Sequence, residues 1–292
     1  MTETFFGEKT RPSRFDAQLS SRDFDRFSKL VYDQCGIRLP QHKRSMLEAR
    51  LRKRLREHNL VAFEDYAEMI FEGEIPVEEL VKLIDVVTTN KTDFFREPAH
   101  FDFLIEQILP VLVQEGVGTD RSPLRIWSAG CSTGKEPYSL AMTLSEYQEA
   151  DPDFHFQILG TDISTDVLKK AQRGIYPEEK VAPVPMPMRK KYLLKSKDPS
   201  QKKVRIVPEI RSKIRFSRLN FMAPSFNFDQ PFDVIFCRNV MIYFDRETQK
   251  QLLTKLAACL LPGRFLFLGH SETLLGFDLP LMQMAPSVYR KV

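Results

Sequence analysis

Hydrophobic and polar positions follow two different patterns along the chain. From residue 20 to about residue 87, apolar side chains recur every three or four residues, which is the spacing of amphipathic helices. From residue 124 onward, short continuous apolar runs alternate with helical spacing, as in parallel strands that are buried on both faces and joined by helices. The sequence therefore predicts a domain of about four helices followed by a larger α/β domain.

The strands of the second domain are predicted from its apolar runs. They cover residues 124–129, 155–160, 213–217, 232–237 and 264–269, with a final strand at 282–292. Helical spacing predicts helices at 136–150, from Ser164 onward, and at 246–261. Because strands and helices alternate, we expect a doubly wound sheet whose strand ends face one crevice, where ligands bind in such folds.

A proline-rich segment interrupts this alternation. Residues 175–211 contain six of the nineteen prolines, and proline is excluded from central strands. The segment is therefore predicted to lie outside the main sheet, with residues 190–194 and 203–207 paired as a small hairpin. Two interpretations stay open for this segment: it is either a surface insertion without a binding role or a docking site.

The positive charge is concentrated on one predicted helix. The chain has a formal net charge of +4, and residues 43–57 alone contain seven basic and two acidic side chains. Arg50, Lys53 and Arg56 follow one another at three-residue intervals, opposite an apolar leucine stripe. One interpretation is a solvated face. The other is a docking surface for an acidic partner, which nucleic acid or an acidic protein helix would satisfy.

Composition excludes several classes of protein. An apolar run of about 18 residues and a basic-then-apolar N-terminal signal are both missing, so neither a membrane span nor export is expected. The four cysteines have no metal-like spacing, which fits reduced thiols. We therefore expect a cytoplasmic protein without a metal site. Residues 1–18 are polar and aperiodic and are expected to form a flexible leader.

A glycine loop and an acidic residue follow the first two predicted strands. Gly130 and Gly134 bracket the turn after the strand that ends at Ala129, and Asp162 follows the second strand. An acidic side chain in that position can accept hydrogen bonds from both ribose hydroxyls of a nucleoside. A tight turn of any α/β sheet is the alternative for the glycines alone. Loop and acid together favour a nucleoside pocket.

Later strand ends add the other parts of such a pocket. Asn220 can hydrogen-bond to a base edge and Phe221 can pack on its face, and Arg238 and Asn239 follow the fourth strand. Glu136, beside the glycine loop, would repel the pyrophosphate of a dinucleotide but suits a cationic ligand. S-adenosylmethionine carries an ammonium and a sulfonium group. Methyl transfer is therefore favoured over hydride transfer.

The linker between the two predicted domains is unusual for a spacer. Residues 88–98 are dense in hydrogen-bonding side chains and also carry two aromatic rings and Arg96. Either Phe94 and Phe95 pin the linker to the core, or the segment closes over the pocket.

Five strings of the sequence resemble the chemotaxis receptor methyltransferases of the CheR family. They are TTNKTDFFRE (88–97), WSAGCSTGKEPYS (127–139), GTDIS (160–164), FCRNVMIYF (236–244) and GHSE (269–272). The resemblance covers nearly the whole chain from about Ser20, in order. It implies a Rossmann-like class I S-adenosylmethionine-dependent methyltransferase fold with an N-terminal all-helical domain and a small inserted β-subdomain. It also implies methylation of glutamate side chains on membrane chemoreceptors, with S-adenosylhomocysteine as the second product.

The resemblance further implies roles for individual residues. Glu136 would meet the amino acid end of the cofactor, Asp162 its ribose, and Asn220 with Phe221 its adenine. Arg96 and Tyr243 would face the substrate carboxylate and are the candidate catalytic residues. The full predicted cofactor set is Asn90, Thr92, Arg96, Ala129, Gly130, Glu136, Asp162, Asn220, Phe221, Arg238 and Asn239.

Partners and domain boundaries also follow from the resemblance. The basic helix matches the receptor-contacting helix of the family at Arg50, Lys53 and Arg56. Residues 175–211 match a subdomain that grips the C-terminal receptor peptide in some members, and whether this chain does so stays open. We expect a helical docking domain at 19–90 and a methyltransferase domain at 91–292, with residues 88–98 contributing to the site. The partner would be the cytoplasmic helical region of chemoreceptors, nucleic acid is not expected, and the protein would be a monomer.

Two other functions stay open at this point. One is a methyltransferase of another acidic protein or of nucleic acid, although the Asn-Pro-Pro-Tyr and Pro-Cys signatures of base methyltransferases are missing. The other is a non-catalytic scaffold that binds an adenosyl ligand.

Overall fold

The computed structural model describes residues 18–198 and 200–292 of the 292-residue chain. The chain divides into two compact units, one that ends at Thr88 and one that begins at Thr89. Residues 1–17, nearly all of the predicted leader, lie outside the described residues. Within the part that is described, no helix is long and apolar enough to cross a membrane.

The first unit is helical, which confirms the prediction from hydrophobic spacing. Its α-helices are α1 Ser21–Cys35, α2 Arg44–Glu57, α3 Phe63–Phe71 and α4 Val77–Val87. The Ser20 side chain caps α1 by accepting a hydrogen bond from the Asp23 amide at 3.0 Å, and Gly36 ends this helix with a φ of 72°. Most of the apolar side chains at helical spacing form the buried core of the unit.

A charged side chain of α2 lies inside this helical unit. The Arg54 side chain is 2% exposed, and its Nε donates to Glu79 Oε1 on α4 at 2.9 Å. The Tyr66 hydroxyl donates to the same oxygen at 2.7 Å, and His58 Nε2 lies 2.8 Å from Glu79 Oε2. Burial alone would raise the pKa of Glu79, but these hydrogen bonds lower it below its ordinary value. Part of the basic charge of α2 is therefore used in internal pairing.

The second unit contains a seven-stranded sheet and a three-stranded sheet. Its strands are β1 Leu124–Ala129, β2 Phe156–Asp162, β3 Ile175–Pro177, β4 Leu193–Lys195, β5 Lys203–Ile206, β6 Ile214–Arg218, β7 Phe232–Cys237, β8 Leu260–Leu268, β9 Leu281–Ala285 and β10 Val288–Lys291. Its α-helices are α5 Ala99–Phe103, α6 Leu109–Gln114, α7 Lys135–Ala150, α8 Thr165–Arg173, α9 Met186–Tyr192, α10 Pro208–Ser212 and α11 Arg246–Ala258. A π-helical turn, Leu104–Ile108, joins α5 to α6.

The large sheet has the strand order β6-β2-β1-β7-β8-β10-β9. Strands β6, β2, β1, β7 and β8 are parallel, and β10 runs antiparallel to both β8 and β9. The chain moves outward from β1 to β2 and β6, and then returns to β7 on the other side of β1. The carboxyl ends of β1 and β7 therefore mark the point where the strand order reverses, which is where such sheets bind ligands.

Two predicted elements need correction. The strand predicted at 282–292 is two antiparallel strands, because Pro286 has no N–H for the ladder and Ser287 turns the chain with a φ of 58°. In the insertion, residues 190–192 belong to α9, and the strand that pairs with β5 covers 193–195. The hairpin itself is confirmed, and β3 joins it to give the order β3-β5-β4.

Aromatic side chains fix the positions of the central strands. On one face of the large sheet, Trp127 is fully buried against Phe228 and Phe232, and its Nε1 donates to Thr161 Oγ1 at 2.8 Å. In the other core cluster the Phe236 ring of β7 stacks on the Phe267 ring of β8, with centroids 4.3 Å apart. Because the large rings fill both sides and the indole donor is satisfied, the strand ends have little freedom to shift.

Replacing Glu79 with glutamine should destabilise the helical unit. The variant removes the buried carboxylate partner of Arg54 and leaves it only the more exposed carboxylate of Glu57, and breaking a buried pair in this way costs about 3 kcal/mol. Urea unfolding followed by far-ultraviolet circular dichroism measures the loss. In the control, Asp33→Asn removes the exposed partner of Lys29, and about 1 kcal/mol or less is expected. Equal losses in the two variants would contradict a special role for the buried pair.

Candidate active site

The candidate site lies where the parallel strands β1, β2, β7 and β8 end. After β1 the chain turns sharply, and the amides of Gly130 and Cys131 both donate to Thr161 O on β2 at 2.8 Å. Gly130 and Gly134 have φ of 79° and 86°, a region that glycine adopts without steric cost. A Cβ on Gly130 would lie 2.6 Å from Val240 Cγ2, so the loop after β7 approaches the glycine loop closely.

Asp162 joins the glycine loop to the end of β2. Its residue is 8% exposed, and its Oδ2 accepts a hydrogen bond from the Ser132 amide at 2.8 Å, while its Oδ1 accepts one from the Ser164 amide at 2.9 Å. The first of these bonds holds Ser132 in a left-handed conformation with φ of 51°. Asp162 therefore fixes the glycine loop at the place where the sequence predicts the ribose.

Glu136, in the first turn of α7, is paired within the protein. Its Oε2 accepts from Arg238 Nε at 2.7 Å, and its Oε1 accepts from the Ser128 hydroxyl at 2.7 Å. Sequence reasoning placed Glu136 near a cationic ligand and missed this ion pair, because no spacing rule connects residues 136 and 238. The negative charge of Glu136 is thus partly balanced by the protein itself.

The strap, residues 89–98, is attached to the glycine loop and to α7. The Ser132 hydroxyl donates to Asn90 O at 2.9 Å, and Lys135 Nζ donates to Thr92 O at 2.8 Å. Lys135 is 7% exposed, so its ammonium is held inside this junction. Two of the predicted cofactor residues are therefore held through their backbone carbonyls, Asn90 by the glycine loop and Thr92 by α7.

The aromatic residues of the strap anchor it to the second unit. Phe94 is 1% exposed, and its ring meets Tyr176 edge to face with centroids 5.0 Å apart. The Phe95 amide donates to Ser139 Oγ at 2.9 Å. Of the two interpretations that the sequence left open, the pinning of the linker to the core is confirmed.

Glu97, near the end of the strap, faces Arg238 and two histidines. Its Oε2 lies 3.4 Å from Arg238 Nη1, 3.5 Å from His100 Nδ1 and 3.9 Å from His270 Nε2. Burial, reinforced by the charge of Arg238, lowers the pKa of His100 to about 4, so the imidazole is neutral at neutral pH. Arg238 Nη1 also donates to Arg96 O at 2.8 Å.

The same cluster has some resemblance to a metal site. One ligand atom each from Glu97, His100 and His270 lies within 4.8 Å of the others, in the part of the chain that was searched for such groups. Arg238 Nη1, however, lies 3.1 Å from His100 Nδ1 and thus lies against two of the three ligand atoms. The Arg238 guanidinium already provides a positive charge next to the Glu97 carboxylate. We therefore interpret the cluster as a group of side chains that holds Arg238 in place.

Glu272 is a buried carboxylate to which sequence reasoning gave no role. It accepts hydrogen bonds from the amides of Asn239, Val240, Met241 and Gly269, at 2.7 to 2.9 Å. Burial raises the pKa of this carboxyl, and the four backbone hydrogen bonds oppose the rise. The available signal was an acidic residue in the short loop after a buried strand, four positions beyond its last residue Leu268.

The predicted adenine residues follow β6, and one of them, Phe221, lies next to the glycine loop. Asn220 Oδ1 accepts a hydrogen bond from the Met222 amide at 3.0 Å. Phe221 Cε2 lies 3.9 Å from the position that a Cβ on Gly130 would take. Ala129, at the end of β1, is 1% exposed. The ends of β1 and β6 are therefore close enough to line one pocket.

The two candidate catalytic residues lie on different loops. Tyr243 is half-buried and ends the short 3₁₀ turn Met241–Tyr243 after β7. The Arg96 side chain is 35% exposed, and its Nε lies 3.8 Å from Glu97 Oε1. Arg96 thus differs from Arg238, whose side chain is 2% exposed.

The three predicted docking residues lie on α2 in the first unit. Arg50 Nη1 donates to the Val87 carbonyl at the end of α4. The Lys53 side chain is 50% exposed, and Arg56 is exposed. Lys53 and Arg56 therefore present more of their charge to solvent than Arg54 does.

Left-handed backbone is concentrated around the site. Phe95, Glu97, Ser132 and Asn239 have φ of 51°, 57°, 51° and 58°. Such conformations cost a non-glycine residue about 1 kcal/mol or more, and they persist where surrounding contacts hold them, commonly at functional sites. The strap, the glycine loop and the loop after β7 each contain at least one.

Residues 90–288 match the domain described as the CheR methyltransferase, SAM binding domain. The fold is therefore that of an S-adenosylmethionine-dependent methyltransferase with a Rossmann-like class I sheet. Residues 22–88 match the CheR methyltransferase, all-alpha domain. The chain belongs to the CheR methyltransferase family.

Relatives of high coverage carry similar names. The chain is 39% identical to a chemotaxis protein methyltransferase of Borreliella burgdorferi, over 97% of this chain and 99% of the relative. It is 38% identical to the chemotaxis protein methyltransferase of Escherichia coli, over 87% and 85%. It is 37% identical to chemotaxis protein methyltransferase 2 of Pseudomonas aeruginosa, over 91% and 92%.

Substituting alanine for Gly130 should weaken cofactor binding. The new Cβ would meet Val240 and would also have to adopt a positive φ, so the loops after β1 and β7 must separate. We expect the dissociation constant of S-adenosylhomocysteine, measured by calorimetry, to rise about tenfold or more, since a displacement worth about 1.4 kcal/mol has that effect.

Gly116→Ala is the matched control for the Gly130 variant. Gly116 also has a positive φ, of 81°, but a Cβ there would meet no atom within 4 Å. This control carries the backbone strain without the clash. Unchanged cofactor affinity in Gly130→Ala, or an equal loss in Gly116→Ala, would contradict the close approach of the two loops.

Proposed function

We propose that the protein transfers the methyl group of S-adenosylmethionine to glutamate side chains in the cytoplasmic helical region of membrane chemoreceptors. The products are glutamate methyl esters, which serve chemosensory adaptation, and S-adenosylhomocysteine. The observation that carries the proposal is that both CheR domains occur in one chain, in order, with relatives named chemotaxis methyltransferases over most of its length.

The predicted cofactor residues are proposed to bind the adenosyl group and its amino acid chain. The glycine loop is held against the loop after β7 at Gly130 and is anchored by Asp162, and this fixed backbone at the ends of β1 and β2 supports the proposed cofactor position. Phe221 is proposed to pack against the adenine ring, and Asn220 to bind its edge. S-adenosylmethionine supplies an activated methyl group on a sulfonium centre.

The chemistry requires alignment and desolvation rather than proton transfer. A glutamate carboxyl with a pKa of about 4.3 is already ionised at neutral pH, so no general base is needed to produce the nucleophile. The protein must hold one carboxylate oxygen in line with the methyl group and remove its water. His100 fits this scheme, because a buried neutral imidazole that faces a guanidinium is not placed to take a substrate proton.

Arg96 and Tyr243 are proposed to orient the substrate carboxylate. The site contains two arginines, and Arg238 directs its donors to Glu136, His100 and the Arg96 carbonyl. The Arg96 guanidinium is more exposed and has one carboxylate contact, at 3.8 Å. A planar guanidinium can bind a carboxylate through two parallel hydrogen bonds, which would fix the angle of the attacking oxygen.

Receptor docking is proposed for the basic face of α2 at Arg50, Lys53 and Arg56. A receptor helix that carries glutamates is acidic, and the cations would steer and hold it. The three-stranded sheet is the proposed site for a C-terminal receptor peptide where the receptor has one. Calorimetry with such peptides tests this second contact, and sedimentation tests the expected monomer.

The direct test of the function uses receptor membranes and tritiated S-adenosylmethionine. A glutamate methyl ester releases volatile methanol in mild alkali, so the label transferred to the receptor should become volatile. A receptor whose methylation-site glutamates are replaced by alanine is the control. An alkali-stable product, or equal labelling of the control receptor, would contradict carboxyl methylation.

Arg96→Ala should lower the turnover number by more than it weakens cofactor binding. The variant removes the proposed carboxylate-orienting group, and loss of one charge-assisted contact made in the transition state costs about 2 kcal/mol or more, or about thirtyfold. The measurement compares the turnover number at saturating S-adenosylmethionine with the dissociation constant of S-adenosylhomocysteine. Equal losses in both would contradict the orienting role.

Reversing charge on α2 should weaken receptor docking alone. In the double variant Lys53→Glu, Arg56→Glu, we expect the Michaelis constant for receptor to rise about tenfold at low salt, and the difference to shrink at high salt because exposed charges are screened. Cofactor affinity should not change. Lys82→Glu, an exposed reversal on α4, is the control. A receptor constant unchanged by the double variant would contradict docking on this face.

A further inference from the structure

We propose that Glu272 is a positioning residue for methyl transfer: it fixes the β7 loop, residues 238–243, against the end of β8. The inference rests on the proposed function, because it assigns a purpose to the position of that loop. Glu272 is 6% exposed and stands outside the predicted set of cofactor and substrate residues. The four hydrogen bonds that its carboxylate accepts all come from main-chain amides.

Both oxygens of the Glu272 carboxylate are fully used. Oε1 accepts from the Val240 amide at 2.9 Å and from the Met241 amide at 2.7 Å. Oε2 accepts from the Asn239 amide at 2.8 Å and from the Gly269 amide at 2.7 Å. A carboxylate offers about four lone-pair sites, so this one has none left for a ligand. Glu272 therefore acts through the loop and not on the reacting atoms.

Three successive amides converge on this carboxylate, and they require an unusual backbone. Asn239 has a φ of 58°, in the left-handed region, and the turn Met241–Tyr243 follows directly. Successive main-chain N–H groups that point to one side form an anion-binding concavity. Here the anion is a side chain of the protein itself, so the loop is held in this conformation without any ligand.

The junction with β8 leaves no room for adjustment. A Cβ on Gly269 would lie 2.5 Å from Asn239 Nδ2, 2.8 Å from the Asn239 amide nitrogen and 2.8 Å from Glu272 Oε2. Asn239 Nδ2 in turn lies 3.4 Å from Glu97 Oε1 on the strap. The carboxylate therefore holds together the β7 loop and the end of β8, and it does so next to the strap.

The position of the β7 loop matters for both halves of the reaction. Arg238 and Asn239, at its start, belong to the predicted cofactor set, and Tyr243, at its end, is proposed to face the substrate. One carboxylate binds the amides of Asn239, Val240 and Met241, which connect Arg238 to Tyr243. Moving the loop would therefore change cofactor affinity and the alignment of the substrate together.

Glu272→Gln is the variant that isolates this role. Glutamine has nearly the same shape, but its amide nitrogen would face two N–H donors and accept from neither. Leaving buried donors unsatisfied costs about 1 to 3 kcal/mol each, so we expect the dissociation constant of S-adenosylhomocysteine to rise about tenfold or more. The turnover number at saturating cofactor should fall as well. Glu247→Gln on α11, whose carboxylate bonds only to exposed Gln251 among the contacts described, is the control and should change neither value.

The measurements are made well below the unfolding midpoint of each variant. A merely structural Glu272 would lower the midpoint and leave the dissociation constant and the turnover number within about twofold of the wild type, which would overturn the proposal. Gly269→Ala disturbs the same junction from the end of β8. It should lower both the affinity for S-adenosylhomocysteine and the turnover number. Normal cofactor affinity in a folded Gly269→Ala protein would also count against the proposal.

Hydrogen exchange of the wild type tests the carboxylate contacts without any variant. The amides of Asn239, Val240, Met241 and Gly269 should be protected in the ligand-free protein, and exchange at the rate of open loop amides would overturn the proposal. This readout also separates two failures. A wild type that binds no S-adenosylhomocysteine defeats the proposed function, whereas unprotected amides in a protein that binds it defeat only the role of Glu272.

Discussion

The buried Arg238 guanidinium is the group on which the arrangement of the site depends. A guanidinium cannot lose its charge in a protein, so every segment packed around it must offer an acceptor. Helix α7 offers Glu136, the strap offers Glu97 and the Arg96 carbonyl, and α5 offers His100 Nδ1. Glu136 is the acceptor for Nε and the other three groups share Nη1, so segments that are up to 142 positions apart in sequence meet at one buried side chain.

This arrangement also separates the charges that are balanced inside the protein from the charge that is more exposed. Arg238 and Glu136 balance each other inside the protein, and burial keeps the nearby imidazole of His100 neutral. The Arg96 side chain is more exposed, at 35%, and its Nε lies 3.8 Å from Glu97 Oε1. A site built in this way suits a substrate that arrives already ionised, because the protein needs to orient an anion and does not need to create one.

Backbone geometry is as important here as side-chain chemistry. Gly130 and Gly269 each leave a space into which the β7 loop fits, and carboxylates at Asp162 and Glu272 hold amides of the glycine loop and the β7 loop. The left-handed residues in these loops would relax in an isolated chain. They are kept in place because the four contacts act on the same few residues, so that the site is prepared before a ligand binds.

Much of the fold was determined by the sequence itself. The apolar runs at 124–129 and 232–237 predicted buried parallel strands correctly, since long apolar segments must leave water wherever the chain folds. Gly130 and Gly134 predicted the turn after the first strand, where both adopt a positive φ, and Asp162 was predicted at the end of the second strand, because both depend on residues that are close in the chain or on the order of strand and helix.

Only the tertiary structure decided which charged groups meet. Residues from different elements meet in the pairs Glu136–Arg238 and Arg54–Glu79 and in the hydrogen bonds to Glu272. Local spacing in the sequence contains no information on which distant residues come into contact. Sequence patterns indicate which side chains must be buried. The partner of a buried charge is fixed by packing in three dimensions, because a buried charge without a partner has a large free-energy cost.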